Sequence, residues 1–150
     1  MKKVTILMIT GGGGHGAGAR AVAGALDHLY GKDISTSIVD VSKRGAHSPV
    51  GWLDGFYQWL ARDGLWLWKM LWWTDGRPWV VRLGARLLMP VFGGWVRGIL
   101  RTEAPDLVVT VHGFVNHIPQ RVLHKTMPHV PFTTVVLDLV SAHPVWFCPE

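Results

Sequence analysis

The residues with the clearest chemical potential follow the first apolar run. The segment "ITGGGGHGAGAR", Ile9 to Arg20, places four consecutive glycines before a histidine. Bare backbone N–H groups at the start of a helix attract anions, and missing side chains let a ligand come close. His15 stands where a helix is expected to begin. The positive end of a helix disfavours imidazolium and favours a neutral ring able to accept a proton. That suits a general base. The same residues also read as a histidine that only hydrogen-bonds the loop, or as a plain tight turn between strand and helix. A Walker loop requires Gly-Lys-Ser/Thr, which the segment lacks. The dinucleotide pattern G-x-G-x-x-G is met by Gly11, Gly13 and Gly16, with Asp40 where a ribose-binding acid would sit, although four glycines in a row satisfy it easily.

These residues need elements to position them. Val4 to Ile9 reads as a buried strand, Ala17 to Tyr30 as a helix stopped by Gly31, and Ile34 to Val41 as a second strand. "PDLVVTVHG", Pro105 to Gly113, is a third strand, Asn116 to Lys125 a short helix with Pro119 near its first turn, and Phe132 to Asp138 a fourth strand. The order βαβ, insertion, βαβ predicts an α/β domain: a Rossmann-like parallel sheet with helices on both faces. Such sheets bind ligands beyond the carboxyl ends of their strands. The polar residues expected there are the glycine loop (Gly12, Gly13, Gly14) with His15, then Asp40, then His112 and Asn116, then Asp138 and His143.

Residues 51–102 differ in character. They carry eight of the nine tryptophans, and seven Lys/Arg against three Asp, a net +4 of the chain's +5. Two helices are expected, about Trp52 to Trp73 and Pro78 to Thr102, joined by "TDGRP", with Pro90 and Gly93-Gly94 kinking or breaking the second. On the first, Trp59, Trp66 and Trp73 recur every seven positions and share a stripe beside Arg62 and Lys69. On a continuous second helix, Arg82, Arg86, Arg97 and Arg101 fall within about 100° of arc. Tryptophan prefers the headgroup level and arginine pairs with lipid phosphate, so this surface reads as a contact with an anionic membrane. A core helix pair or a dimer interface is the plainer reading. Nucleic acid is disfavoured because the apolar content far exceeds what a stacking platform needs.

The 150 residues suffice for one domain, and 17% charged against 49% hydrophobic residues argue against disorder. One cysteine, Cys148, offers no internal disulfide and fits a reducing compartment. "VTILMI" is too short for a signal peptide, and Arg82, Arg86 and Arg97 interrupt the best transmembrane candidate, Trp79 to Leu100. The abrupt end at "VWFCPE" leads to the expectation that this is an incomplete domain of a longer protein.

Three blocks together resemble one family: "ILMITGGGGHGAGARAVAGAL", "PDLVVTVHGFVNHIPQRVL" and "FTTVVLDLVSAHPVWFCPE". They are similar to the N-terminal domain of the monogalactosyldiacylglycerol synthases and the related processive diacylglycerol glucosyltransferases. The resemblance covers the whole chain and is loosest across the tryptophan-rich insertion. It implies the N-terminal half of a GT-B glycosyltransferase, which takes the lipid acceptor at the membrane while an absent C-terminal domain binds a UDP-sugar. The implied reaction is inverting transfer of a hexose, from UDP-galactose or UDP-glucose, to the 3-hydroxyl of diacylglycerol, with no cofactor and no required metal. The resemblance makes His15 the catalytic base, with Asp138 a second catalytic residue expected to orient that histidine or the acceptor, and gives Asp138, His143, Pro144 and Trp146 roles in the acceptor site or in the response to anionic lipid. It implies a peripheral protein on the cytoplasmic face of a membrane. The family has a polar residue and a serine where this chain has Gly16 and Gly18, which removes a charge and a hydroxyl beside the base. Two other readings stand beside it: a small NAD-binding module using Gly11, Gly13, Gly16 and Asp40, and a membrane adaptor without catalysis.

Overall fold

A computed structural model describes residues 1–9, 13–43, 55, 59–60, 62–75, 77–138 and 143–147, with the backbone alone for residues 13, 68, 71, 72, 74 and 75. Four strands form one sheet: β1 (Lys2–Met8), β2 (Ile34–Asp40), β3 (Leu107–Thr110) and β4 (Phe132–Thr134). All neighbours are parallel, in the order β2-β1-β3-β4, with Val4 opposite both Thr36 and Leu107. Apolar side chains alternate along β1 and divide the core in two. Val4, Ile6 and Met8 face Ala19 and Ala23 of helix α1 (Gly13–Tyr30), together with Val109 and Val111. Leu7, Val39 and Val108 face the opposite side, against Val96, Ile99 and Leu100 of helix α3 (Pro78–Glu103) and Val122 and Leu123 of helix α4 (His117–Thr126). This is the expected α/β, Rossmann-like sheet covered on both faces, which is what a parallel sheet requires.

Helix α1 begins at Gly13, before the expected Ala17, so His15 already lies within its first turn. Strand β4 is shorter than expected. The amide of Val135 still donates to the Thr110 carbonyl at 2.8 Å, and the chain then leaves the sheet before Asp138.

The insertion departs from expectation in two places. The helix expected from Trp52 to Trp73 is divided: Asp63 and Gly64 both donate their amides to the Trp59 carbonyl, at 2.7 and 3.1 Å, and a new helix α2 (Leu65–Asp75) follows. Two amides closing on one carbonyl terminate a helix, and a Cβ at Gly64 would crowd Trp59 and Leu60 at 3.1–3.2 Å. Trp59 therefore does not belong to the helix that carries Trp66 and Trp73. Most of the stretch from Trp52 to Gln58 lies outside the described residues.

The second difference is that α3 is not broken at Pro90 or Gly93-Gly94; it runs as one helix of 26 residues. Pro78 occupies its first turn, where the missing N–H costs nothing. Pro90 is exposed, and the turns beyond it are held by burial of Gly93, Val96, Ile99 and Leu100. Gly93 fits because a Cβ there would press on Met89 Sδ at 3.0 Å. The helix ends in a left-handed cap at Ala104 (φ 45°), whose amide donates to the Leu100 carbonyl at 2.9 Å. Just before the cap, Glu103 is buried with Lys3 Nζ at 2.8 Å and accepts from Ser37 Oγ, tying α3 to β1 and β2 away from the carboxyl end that carries the glycine loop.

Candidate functional site

Connections from β1 run to β2 on one side, while β3 lies on the other, so the carboxyl ends of β1 and β3 border the point where the strand order reverses. A crevice opens at such a point. His15 enters it from the start of α1 and His112 from the residue pair after β3. Their ring centroids are 4.1 Å apart.

Hydrogen bonds fix which nitrogen of each ring carries hydrogen. His15 Nδ1 lies 2.9 Å from the Val111 carbonyl oxygen. A carbonyl only accepts, so Nδ1 donates and the neutral ring keeps its lone pair on Nε2. His112 is the reverse. Its Nδ1 accepts from the Phe114 amide at 3.3 Å, so its N–H is on Nε2. Burial pushes His112 down to about 4, helped by the neighbouring His15 and opposed by Asp138 and Asp40. His112 is therefore neutral at physiological pH. A neutral His15 ring thus presents a proton acceptor at Nε2 beside the neutral N–H donor of His112.

The wall of this site comes from residues 143–147. A single 3-10 turn, Pro144–Trp146, is capped by His143 Nδ1, which accepts the Val145 amide at 3.3 Å. Trp146 is buried with its ring 6.0 Å from His15, and its indole N–H donates to the Asp138 carboxylate. Asn116 holds this turn: its amide nitrogen donates to the carbonyls of Val145 (3.2 Å) and Trp146 (2.9 Å), and its oxygen accepts from Thr134 Oγ1 (3.3 Å).

The residues expected at the site fall into three groups. His15, His112, Asp138 and Trp146 are gathered at the crevice. Asn116 is fully buried and its donors are engaged internally, so the expectation that it touches substrate gives way to a structural role. His143 and Pro144 shape the turn that carries Trp146. Asp138 does not hold the His15 Nδ1; the Val111 carbonyl does. Gly13 opens α1, Gly14 has open space where a Cβ would stand, and Gly12, like Gly11, lies outside the described residues. Asp40, the ribose acid of the dinucleotide reading, accepts from the Ser42 amide (2.9 Å) and hydroxyl (2.6 Å) and lies 3.8 Å from Lys43 Nζ. Among the described residues, no three His, Cys, Asp or Glu side chains gather closely enough to hold a metal ion.

Sequence reasoning missed two contributors, and singled out Gly18 without its packing partner. The Val111 carbonyl is a backbone group with no signature. Gly113 permits the turn to dock, because a Cβ there would stand 2.7 Å from Val145 Cγ1. Gly18 lies against Leu137, whose Cδ1 would overlap a Cβ at that position.

The insertion presents a separate surface. Trp66 and Trp73 are 70% and 68% exposed, and Trp59, Trp79, Leu83, Leu87 and Val91 are exposed as well. Arg82, Arg86 and Arg97 are exposed on the continuous α3. Arg77 stacks its guanidinium 4.8 Å from the centre of a Trp73 ring. An open groove of about 560 Å³ is lined by Arg86, Met89 and Pro90 of α3 and Arg121 and Lys125 of α4. Among the described residues no helix is long and apolar enough to cross a membrane.

A family profile described as Monogalactosyldiacylglycerol (MGDG) synthase matches residues 15–150, from His15 through the Trp146 turn. The chain belongs to the monogalactosyldiacylglycerol synthase family. It is 33% identical over 150 residues to monogalactosyldiacylglycerol synthase, chloroplastic, of Spinacia oleracea, covering 97% of this chain and 28% of that protein. It is equally similar, over the same shares, to monogalactosyldiacylglycerol synthase 1, chloroplastic, of Arabidopsis thaliana. A probable monogalactosyldiacylglycerol synthase 2, chloroplastic, of Oryza sativa subsp. indica is 34% identical over 149 residues, 97% of this chain and 31% of that protein. The chain thus spans about three tenths of the length of these relatives. Of the two glycines expected from the resemblance to replace larger residues, Gly16 has ordinary room for a side chain, with Arg20 and Met8 atoms at 3.5 and 3.8 Å from a Cβ, whereas Gly18 has none unless Leu137 moves.

Proposed function

We propose that this chain is the acceptor-binding part of a GT-B glycosyltransferase that moves a hexose from a UDP-sugar to the 3-hydroxyl of diacylglycerol, making a membrane glycolipid. The family match and the synthase names of its relatives supply the reaction class. The observation that carries the reading is the His15 tautomer. With Nδ1 donating to Val111, Nε2 faces the reaction as an acceptor.

In this reading Nε2 takes the proton of the 3-hydroxyl as its oxygen bonds to the anomeric carbon. The bond from that carbon to the diphosphate breaks on the opposite face, and the electron pair leaves with UDP, inverting the centre. The His112 N–H steadies the incoming hydroxyl. The glycine loop and the first turn of α1 favour the diphosphate. UDP-galactose or UDP-glucose is the donor substrate, held by a second, C-terminal domain, and neither a cofactor nor a metal is needed. The tryptophans and arginines of α2 and α3 hold the domain peripherally on the cytoplasmic face of an anionic leaflet, with the groove at Arg86, Arg121 and Lys125 adding positive charge at the surface. Nucleic acid has no part in it.

The test incubates the intact protein with diacylglycerol vesicles and radiolabelled UDP-galactose or UDP-glucose. Labelled monohexosyl diacylglycerol supports the reading. Vesicle binding with no product from either donor overturns it in favour of a non-catalytic adaptor.

A further inference from the structure

Asn116 is the most engaged buried polar side chain near the crevice. It is 0% exposed, at the junction between the 3-10 turn Gly113–Val115 and helix α4. A carboxamide offers two donors and an acceptor on one rigid plane. Here both bonds from the nitrogen go to the turn at 144–146, and the oxygen receives the Thr134 hydroxyl from the end of β4. One side chain thus joins three elements that are distant in sequence.

The turn needs such a tie. Among the described residues its own backbone supplies Trp146 N–H to the His143 carbonyl (2.9 Å) and Phe147 N–H to the Pro144 carbonyl (3.0 Å). One isolated helical turn does not hold its shape in water. Its position comes from docking: Gly113 packs closely against it, α3 also touches it, His117 bonds to the Val145 backbone, and Asn116 holds two of its carbonyls by hydrogen bonds. What the turn carries is Trp146, whose ring lies 6.0 Å from His15 and whose indole holds Asp138.

We propose that Asn116 is a positioning residue: its buried carboxamide ties the 143–147 segment and β4 to the end of β3, and thereby sets Trp146, and the Asp138 carboxylate its indole holds, beside His15. The tie itself stands on the hydrogen bonds; only its effect on turnover rests on the transfer reading above. Shortening or reversing the carboxamide releases the turn. Asn116→Asp is nearly isosteric, yet at neutral pH it turns an acceptor toward two carbonyls.

The experiment uses the intact protein with 15N-labelled tryptophan indoles, the Trp146 signal being assigned through Trp146→Phe. In Asn116→Ala and Asn116→Asp the Trp146 indole N–H shifts and exchanges about tenfold faster or more, while the indole signals of the insertion stay in place. Thr134→Val, which removes one bond and keeps the shape, moves the same signal less and keeps the test available if the Asn116 variants fail to fold. Turnover of Asn116→Asp falls about tenfold or more, with KM for the lipid within about threefold. A folded variant whose Trp146 signal is unchanged overturns the tie. A moved signal with unchanged kcat overturns its link to turnover. If the unmodified protein transfers no sugar, the transfer reading fails, and the indole signal alone decides the tie.

Discussion

Replacing His112 with Asn removes a titrating ring and keeps its local role, because an amide oxygen can accept the Phe114 N–H in place of Nδ1. The ring titrates at about 4 in the folded protein, pushed down by burial first and by His15 second. In the unfolded chain it titrates near 6.5. The folded state therefore binds fewer protons than the unfolded state between those values, and stability falls as pH falls through that window. At about 1.4 kcal/mol per pKa unit the whole effect is about 3.5 kcal/mol, with about 2 kcal/mol already lost at pH 5. Well above pH 6.5, from about pH 7.5, the ring is neutral in both states and contributes almost nothing to the pH dependence. Urea unfolding followed at pH 7.5 and pH 5 measures this directly. The expected result is a drop in unfolding free energy larger by about 2 kcal/mol in the unmodified protein than in His112→Asn, on the order of 1 M in the urea midpoint. His117, also lowered by burial, declines in the same direction in both proteins and cancels. Equal losses in the two proteins would refute the claim that His112 is held neutral by burial.

Two further predictions concern packing and the membrane. Gly18→Ser drives its Cβ into the Leu137 side chain, which must leave its rotamer, so it should destabilise the fold by about 0.5–1.5 kcal/mol, with Leu137→Ala in the same chain restoring part of the loss; a melting temperature unchanged by Gly18→Ser contradicts the close approach. Replacing Arg82, Arg86 and Arg97 together with Gln should weaken binding to vesicles containing phosphatidylglycerol by about 1 kcal/mol per residue and leave binding to neutral phosphatidylcholine vesicles as it was. Flotation at low salt reads this, and unchanged recovery on the anionic vesicles removes α3 from the membrane surface.

Much of the frame is legible in the sequence because burial imposes period. Val4 to Met8 is apolar on both faces, which only a covered parallel strand needs, and the alternation of strands with helices then dictates the sheet. The crevice rule next selects His15 and His112, since both follow strand ends. The rest depended on contacts that no residue type announces. The partner of His15 is a backbone carbonyl. Asn116 resembles a site residue by position, yet its environment removes it from solvent. Gly64 closes an Asp-Gly turn signal, but the seven-residue tryptophan period runs across it, so its role as a helix stop appears only from the two amides that close on Trp59. Pro90 reads as a breaker, but one lost hydrogen bond on an exposed face is outweighed by burial of Val96, Ile99 and Leu100 further along the helix.

The central claim is that His15 Nε2 accepts the proton from the lipid hydroxyl. Its most direct measurement compares kcat of the intact protein and its His15→Ala variant on anionic diacylglycerol vesicles, with folding checked by circular dichroism. Loss of a positioned general base predicts a fall of about 10²- to 10⁴-fold in kcat, with vesicle binding retained. A folded variant turning over within about threefold of the unmodified protein would contradict the account.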